Sequence, residues 1–237
     1  MFAFLPPYHS TPPTMPRTRI ALTLGALLLA AATIAATPDW TPRAFAGVAM
    51  SGPDSILQRA DAGRIQGSPT AKVWLVEASD FQCPFCKEWH DHTYATILKD
   101  YINTGKVRFA FLNDPLPMHA HSMQAAEAAM CASIQGKFWE MHQELFATQD
   151  AWAEVANPTA VFDSLAVKAG VNAPAWRQCV STHAALPMIE ADQARLRASG
   201  IQSTPTFFAG GEKIVGAVPT AAFIAALDSA LAKAGAR

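Results

Sequence analysis

Cys83-Pro84-Phe85-Cys86 stands where one structural period gives way to another. Before it, Lys72-Val73-Trp74-Leu75-Val76-Glu77 is short, apolar and β-rich, the pattern of a buried strand. After it, from Pro84 to about Tyr101, Phe85, Trp89, Tyr94, Ile97, Leu98 and Tyr101 recur at mostly helical intervals. Both cysteines therefore fall on the first turn of a helix. The first meets free backbone N–H groups and the positive end of the helix dipole, which favour thiolate over thiol. A thiolate is the species that attacks disulfides. Half a zinc site or two structural cysteines are the other readings of such a pair; the flanking strand and helix favour redox chemistry.

Working outward, the chain has 237 residues, of which 51% are hydrophobic and 16% charged, with a net charge of −1. A nucleic-acid binder would show a basic face or stripe, so no nucleic-acid partner is expected. Arg17 and Arg19 precede the uncharged, Leu- and Ala-rich segment 20–36. A basic region followed by an apolar one describes a secretory signal, with small-residue cleavage candidates at Thr33-Ile34-Ala35 and Ala44-Phe45-Ala46. Left uncleaved, residues 1–36 would serve as an N-terminal membrane anchor, at the short limit for a span. Either way the body is expected outside the cytoplasm, periplasmic or extracytoplasmic, where disulfides form and persist. About 190 residues then remain, enough for one packed domain with a sizeable insertion.

Residues 37–66 look like a flexible leader, with a short helix near Pro53–Ala60. Gly67-Ser68-Pro69-Thr70 is a turn immediately before the buried strand. Gly105 ends the helix that follows the cysteine pair, and Lys106-Val107-Arg108-Phe109-Ala110-Phe111-Leu112 reads as a second strand, parallel to the first through a crossover. From His119 to about Gly200 the pattern is helical, divided into four or five helices, with no strong strand candidate. Thr206-Phe207-Phe208-Ala209 and Lys213-Ile214-Val215-Gly216, joined through Gly210-Gly211, make an antiparallel hairpin. Pro219-Thr220 opens a last helix with Phe223, Ile224, Leu227 and Leu231 on one stripe. The class is α/β: β-α-β over 67–118, a helical insertion over 119–200, then β-β-α over 201–237.

With this order on the page, the chain resembles the DsbA-like thiol–disulfide oxidoreductases, a thioredoxin fold carrying an inserted helical domain. The stretches that carry the resemblance are Ser79-Asp80-Phe81-Gln82-Cys83-Pro84-Phe85-Cys86, Gly105-Lys106-Val107-Arg108-Phe109, Gln135-Gly136-Lys137-Phe138-Trp139-Glu140-Met141-His142 and Ser203-Thr204-Pro205-Thr206-Phe207-Phe208. It implies that Cys83 is the exposed nucleophile and Cys86 the resolving thiol. It further implies that Pro205 forms a cis bond beside the pair, with Thr204-Pro205 facing the substrate and Thr204 controlling access. Pro84 suits the first helical position, and Phe85 stands where the best-known oxidases of the family have a histidine; both tune the thiolate. Glu77 sits at the end of the buried strand, where unpaired burial raises a carboxyl's pKa. The family assigns such a glutamate to a proton relay; a carboxylate merely reaching the surface is the plainer reading. Some members carry a second, structural disulfide in the insertion, which here would join Cys131 to Cys179. Two separate buried thiols are the alternative.

The resemblance implies no cofactor. It implies unfolded or reduced secreted proteins as clients and a quinone-linked membrane protein as redox partner. The expected activity is oxidation of client cysteines through a mixed disulfide. A reductase or isomerase is the alternative direction, though isomerases of this class need a dimerisation domain and 37–66 is short for one. A chaperone-like binding module with structural cysteines is the rival of a different class. A monomer is expected. No metal is expected either: His90 with His92, and His119 with His121, are spaced i, i+2 and do not share a helix face. Phe138, Trp139, Phe146 and Trp152 read as core, or, if exposed, as the lining of a groove.

Overall fold

The protein is described by a computed structural model over residues 55–235. The export segment expected at 1–36, and the leader up to residue 54, lie outside the described residues. Among the described residues no helix is long and apolar enough to cross a membrane.

The chain opens with α1 (Ser55–Gly63), a two-residue strand β1 (Ile65–Gln66) and β2 (Val73–Ser79). Cys83 caps α2 (Pro84–Trp89), which continues through a π-helical stretch at His90–Tyr94, α3 (Ala95–Ile97) and a second π-helical stretch at Leu98–Ile102. Next comes β3 (Val107–Asn113), parallel to β2, with Leu75 beside Phe109 and Glu77 beside Phe111. Six helices follow: α4 (Ser122–Ser133), α5 (Phe138–Ala147), α6 (Gln149–Trp152), α7 (Thr159–Lys168), α8 (Ala173–Ser181) and α9 (Leu186–Ala198). The expected four or five become six because a four-residue helix separates α5 from α7. β4 (Thr206–Ala209), β5 (Glu212–Val215) and α10 (Thr220–Lys233) close the fold. Gly210 and Gly211 both take positive φ at the turn between β4 and β5, where a side chain would be strained. The five-stranded sheet has the order β1-β3-β2-β4-β5.

Strand alternation sends residues of β2 to opposite faces. Val73 and Leu75 pack with Phe109, Phe207, Trp89, Phe223 and Leu227, beneath helix 84–102 and α10. Trp89 lies 4.6 Å from Phe207 and 5.4 Å from Phe223, ring centre to ring centre. Val76 and Ala78 face the other way, onto Ala110, Leu112, Phe208 and Leu196 of α9. A third cluster fills the insertion. Five alanines of α4, from Ala125 to Ala132, let Phe138, Phe146, Trp152 and Trp176 come close, and Phe81, Cys83, Cys86 and Phe111 join the same cluster. The cysteine pair therefore sits where insertion and sheet share one core. Phe138, Phe146 and Trp152 are buried. The bond between Cys131 on α4 and Cys179 on α8 ties two insertion helices across 48 residues, with Cα atoms 5.8 Å apart. Closing a loop of that size stabilises by roughly 4 kcal/mol on the chain-entropy account.

The leader expected over 37–66 is corrected at its C-terminal end, where 55–66 is built into the domain. Ala60 is buried, Ser133 Oγ donates to its carbonyl at 2.6 Å, and β1 pairs antiparallel with β3. Arg64 supplies the tether. Its buried guanidinium pairs with Asp61 and with Asp192 of α9. Asp192 is wholly buried and also accepts from the Asn113 backbone N–H at 3.1 Å. Arg195 also reaches Asp192, 3.3 Å from its other oxygen, but a buried carboxylate that loses its nearer, buried cation is left poorly compensated. Replacing Arg64 by methionine is expected to lower unfolding free energy by about 3 kcal/mol in urea titrations. A loss below about 1 kcal/mol would show that this pair does not anchor the segment.

Candidate functional site

The run between β2 and α2 is held by its own polar side chains. Asp80 is buried, and its carboxylate accepts from the backbone N–H groups of Gln82 and Leu116, both at 2.8 Å. The same carboxylate lies 2.7 Å from Nδ1 of His119. Gln82 donates to the Ala153 carbonyl and accepts from the His121 N–H, both at 2.7 Å. Gln149 donates through Nε2 to the carbonyls of Phe81 (2.7 Å) and Cys83 (3.1 Å). The insertion thus clamps the strand-to-helix junction at three points. His119 and His121 are spent as hydrogen-bond partners of this clamp.

Cys83 is the N-cap of α2, in extended conformation, with Pro84 at the first helical position. Its carbonyl accepts from the Lys87 N–H, starting the helix. Its Sγ lies 3.5 Å from the carbonyl oxygen of Thr204, in the cis Thr204-Pro205 unit before β4. The thiol's pKa is brought down to about 6, first by the hydrogen bond from Cys86, then by the Thr204 hydroxyl and the N–H groups of Cys86 and Phe85, against the opposing effect of burial. The Thr204 hydroxyl is buried and has no hydrogen-bond partner among the described residues, which leaves it free for a thiolate at Cys83. Cys86, one turn on, is fully buried. Burial pushes its thiol well above the usual range, and the nearby Cys83 and Glu77 add to this. Two thiols of one turn are therefore separated in acidity by depth. The expectation of an exposed Cys83 is corrected: the residue is only 4% exposed, and Phe85 takes the outside position at 59%. The Thr204-Pro205 unit and the core under α2 cover it.

Glu77 does not reach the surface. It is 1% exposed, and neither carboxyl oxygen has a hydrogen-bond partner among the described residues. Burial raises its pKa to about 8; the nearby Ser79 hydroxyl offsets part of this and the Cys83 charge adds to it. The carboxyl is thus protonated over most of the neutral range. His142, quoted above only as part of a motif, proves to be a buried imidazole. It lies within 6 Å of the rings of Phe81, Phe111, Phe138 and Phe146, with both nitrogens unpartnered among the described residues. Burial holds its pKa well below the ordinary value, so it stays neutral. Asp80, Gln82, Gln149 and His142 are site residues that the sequence did not single out; the junction partners of the first three lie 36 to 71 positions away and carry no local signal.

The arrangement can do one kind of chemistry readily. An acidic thiol lies next to a deeply buried, weakly acidic one, with a carboxyl able to exchange a proton near the second. Such a pair cycles between dithiol and disulfide.

Comparison with known proteins agrees. The family model described as Thioredoxin matches residues 59–229. Disulfide bond formation protein D of Bacillus subtilis (strain 168) is 27% identical over 156 residues, covering 63% of this chain and 68% of that protein. The Na(+)/H(+) antiporter NhaA 1 of Mycobacterium sp. (strain KMS) is 34% identical over 173 residues, 70% of this chain. This chain spans only about a quarter of that relative's length, 26%. Among solved structures, oxidised BdbD from Bacillus subtilis superposes with a TM-score of 0.66 at 24% identity, covering 72% of this chain and 94% of that one. Wolbachia pipientis alpha-DsbA1 gives 0.64 at 23%, covering 72% and 92%. The chain belongs to the thioredoxin family.

Proposed function

We infer that this protein is an exported oxidase of cysteine pairs in secreted, unfolded proteins, working through the Cys83–Cys86 disulfide. The observation that carries the reading is the difference in acidity between the two thiols. In the oxidised protein a client thiolate attacks Cys83 Sγ, forming a mixed disulfide and breaking the bond to Cys86. The departing Cys86 sulfur, buried and a poor thiolate, needs a proton, and the protonated Glu77 carboxyl is placed to supply it. The client's second thiolate then attacks its own sulfur in the mixed disulfide and expels Cys83 as a thiolate. The client loses two electrons and two protons; the protein gains a dithiol. A leaving group with a pKa near 6 departs readily at neutral pH, which drives the cycle toward client oxidation.

The clients' chemistry follows from what surrounds the thiol. Phe85 lies on the active turn, Met118 on the loop fixed by Leu116 and His119, and Val155 on the loop fixed by His121. All three are exposed apolar side chains, suited to segments not yet buried in a fold. Re-oxidation falls to a membrane partner linked to quinone, and export places the protein beside it; both extend the family reading. A periplasmic thioredoxin-like protein from Salmonella enterica serovar Typhimurium is among the structures it resembles, with a TM-score of 0.55 at 22% identity. Reduction or isomerisation is the other direction open to the same atoms.

Three outcomes are expected. Cys83→Ser abolishes the oxidative refolding of reduced ribonuclease, while the lone Cys83 thiolate of Cys86→Ala attacks a disulfide of scrambled ribonuclease and accumulates a mixed disulfide seen on non-reducing gels; wild-type activity in Cys83→Ser would end every enzymatic reading. In the reduced protein, thiolate absorbance at 240 nm titrates with a midpoint near pH 6, and Thr204→Val moves that midpoint up. An unmoved midpoint would remove the Thr204 hydroxyl from the account. Glu77→Gln raises stability. A carboxyl whose folded pKa lies above its unfolded one costs nothing below about pH 4.5 and progressively more as pH rises toward 8. The gain measured by denaturation should be on the order of 3 kcal/mol at pH 7 and vanish near pH 4; a pH-independent gain would contradict it.

A further inference from the structure

The insertion carries a second concavity whose lining includes none of the thiol site's residues. It is a half-open cavity of about 330 Å³ between α4, α7 and α8. That volume falls at the lower end of small-molecule sites. Its floor is apolar, made by Ala128, Phe162, Trp176 and Val180. The indole of Trp176 is fixed, since Nε1–H donates to the Ala128 carbonyl at 3.0 Å. The Cys131–Cys179 bond joins two of the walls, α4 and α8. The floor is therefore held in shape before anything binds.

The polar groups around this floor are unequal. Glu127 is buried, 3% exposed, and lines the cavity. Its Oε1 lies 2.7 Å from Nδ1 of His183, and its Oε2 has no partner among the described residues. His183 adopts φ +52°, the left-handed region that residues with a side chain rarely enter. That conformation is paired with the contact to Glu127 at the cavity lip. At the mouth, Arg177 Nε donates to Asp163 Oδ1 at 3.0 Å, so the one permanent cation of the lining is already committed to a carboxylate. Among the permanently charged groups of the lining, two carboxylates face one guanidinium. A buried carboxylate with an open oxygen is most stable against a cation.

We propose that this cavity binds a small apolar amine, its ammonium on Glu127 and its hydrocarbon body on Phe162 and Trp176. The ammonium donates to the open Oε2 of Glu127 and gains from the second carboxylate, Asp163, at the mouth. The aromatic floor accepts the stem and, through the ring faces, part of the positive charge. Anions are excluded by the same two carboxylates. A neutral aromatic of the same shape gains the floor without the charge-assisted hydrogen bond.

Calorimetric titration of the intact protein with phenethylamine, 2-phenylethanol and 3-phenylpropionate separates these terms. The amine is expected to bind saturably at one site, the alcohol at least about tenfold more weakly, and the acid not at all. E127Q keeps the bond to His183 while removing the charge, and should abolish the preference for amine over alcohol. D163N, at a half-buried position on the mouth, should weaken the amine and leave the alcohol unchanged. Both variants should retain wild-type thiol oxidation. Equal binding of amine and alcohol overturns the proposal, as does no saturable amine binding, or an amine preference that survives in both variants.

Discussion

Everything in this structure that bears on chemistry depends on the difference in depth between two thiols one helical turn apart. Cys86 is sunk in the core, and Cys83 is lifted to the helix N-terminus. Burial makes the inner thiol hold its proton; the helix start, the Thr204 hydroxyl and the inner thiol's own S–H make the outer one release it. Remove the depth difference and the two sulfurs become equivalent, with no preferred leaving group. The rest of the fold keeps that difference in place.

The sheet sets the depth. β2 ends directly before the junction, and its parallel pairing to β3 brings Phe111 beside Glu77. The insertion sets the position. Asp80 and Gln82 reach from the junction to backbone groups of residues 116, 121 and 153, and Gln149 reaches back to the carbonyls of Phe81 and Cys83. Because Phe81, Cys83, Cys86 and Phe111 share one apolar cluster with the insertion helices, loosening the insertion would also expose the buried thiol. Stability and acidity are therefore coupled. Glu77 shows the cost of this design: a carboxyl kept in the core without hydrogen-bond partners among the described residues, destabilising at neutral pH.

Much of this was legible in the sequence wherever the cause is local. A period change at Cys83 marks a strand-to-helix junction, Gly210-Gly211 marks a hairpin, and the unbroken helical pattern after His119 marks an insertion. What was not legible depends on partners far along the chain. Arg64 gives no hint of Asp192, 128 positions away, so residues 55–66 read as a leader although they are tethered to α9. Cys83 was expected at the surface because helix starts usually are; the Thr204-Pro205 unit, 121 positions on, covers it. His142 stood only within a quoted motif; Phe138 and Phe146, four residues to either side, share its helix face, but Phe81 and Phe111, which close the cage, come from the junction and β3. The cavity beside Glu127 joins three helices in the same way.

Acidity at Cys83 should appear directly as oxidising power, and the redox equilibrium of the Cys83–Cys86 pair against glutathione measures it. Phe85 supplies no hydrogen bond where the strongest oxidases of the family have a histidine, so the pair should fall short of the roughly −120 mV extreme. It should still lie well above the roughly −270 mV of thioredoxin, a dedicated reductant. A potential at or below thioredoxin's would contradict the account, because a stabilised Cys83 thiolate cannot coexist with a disulfide that resists reduction so strongly.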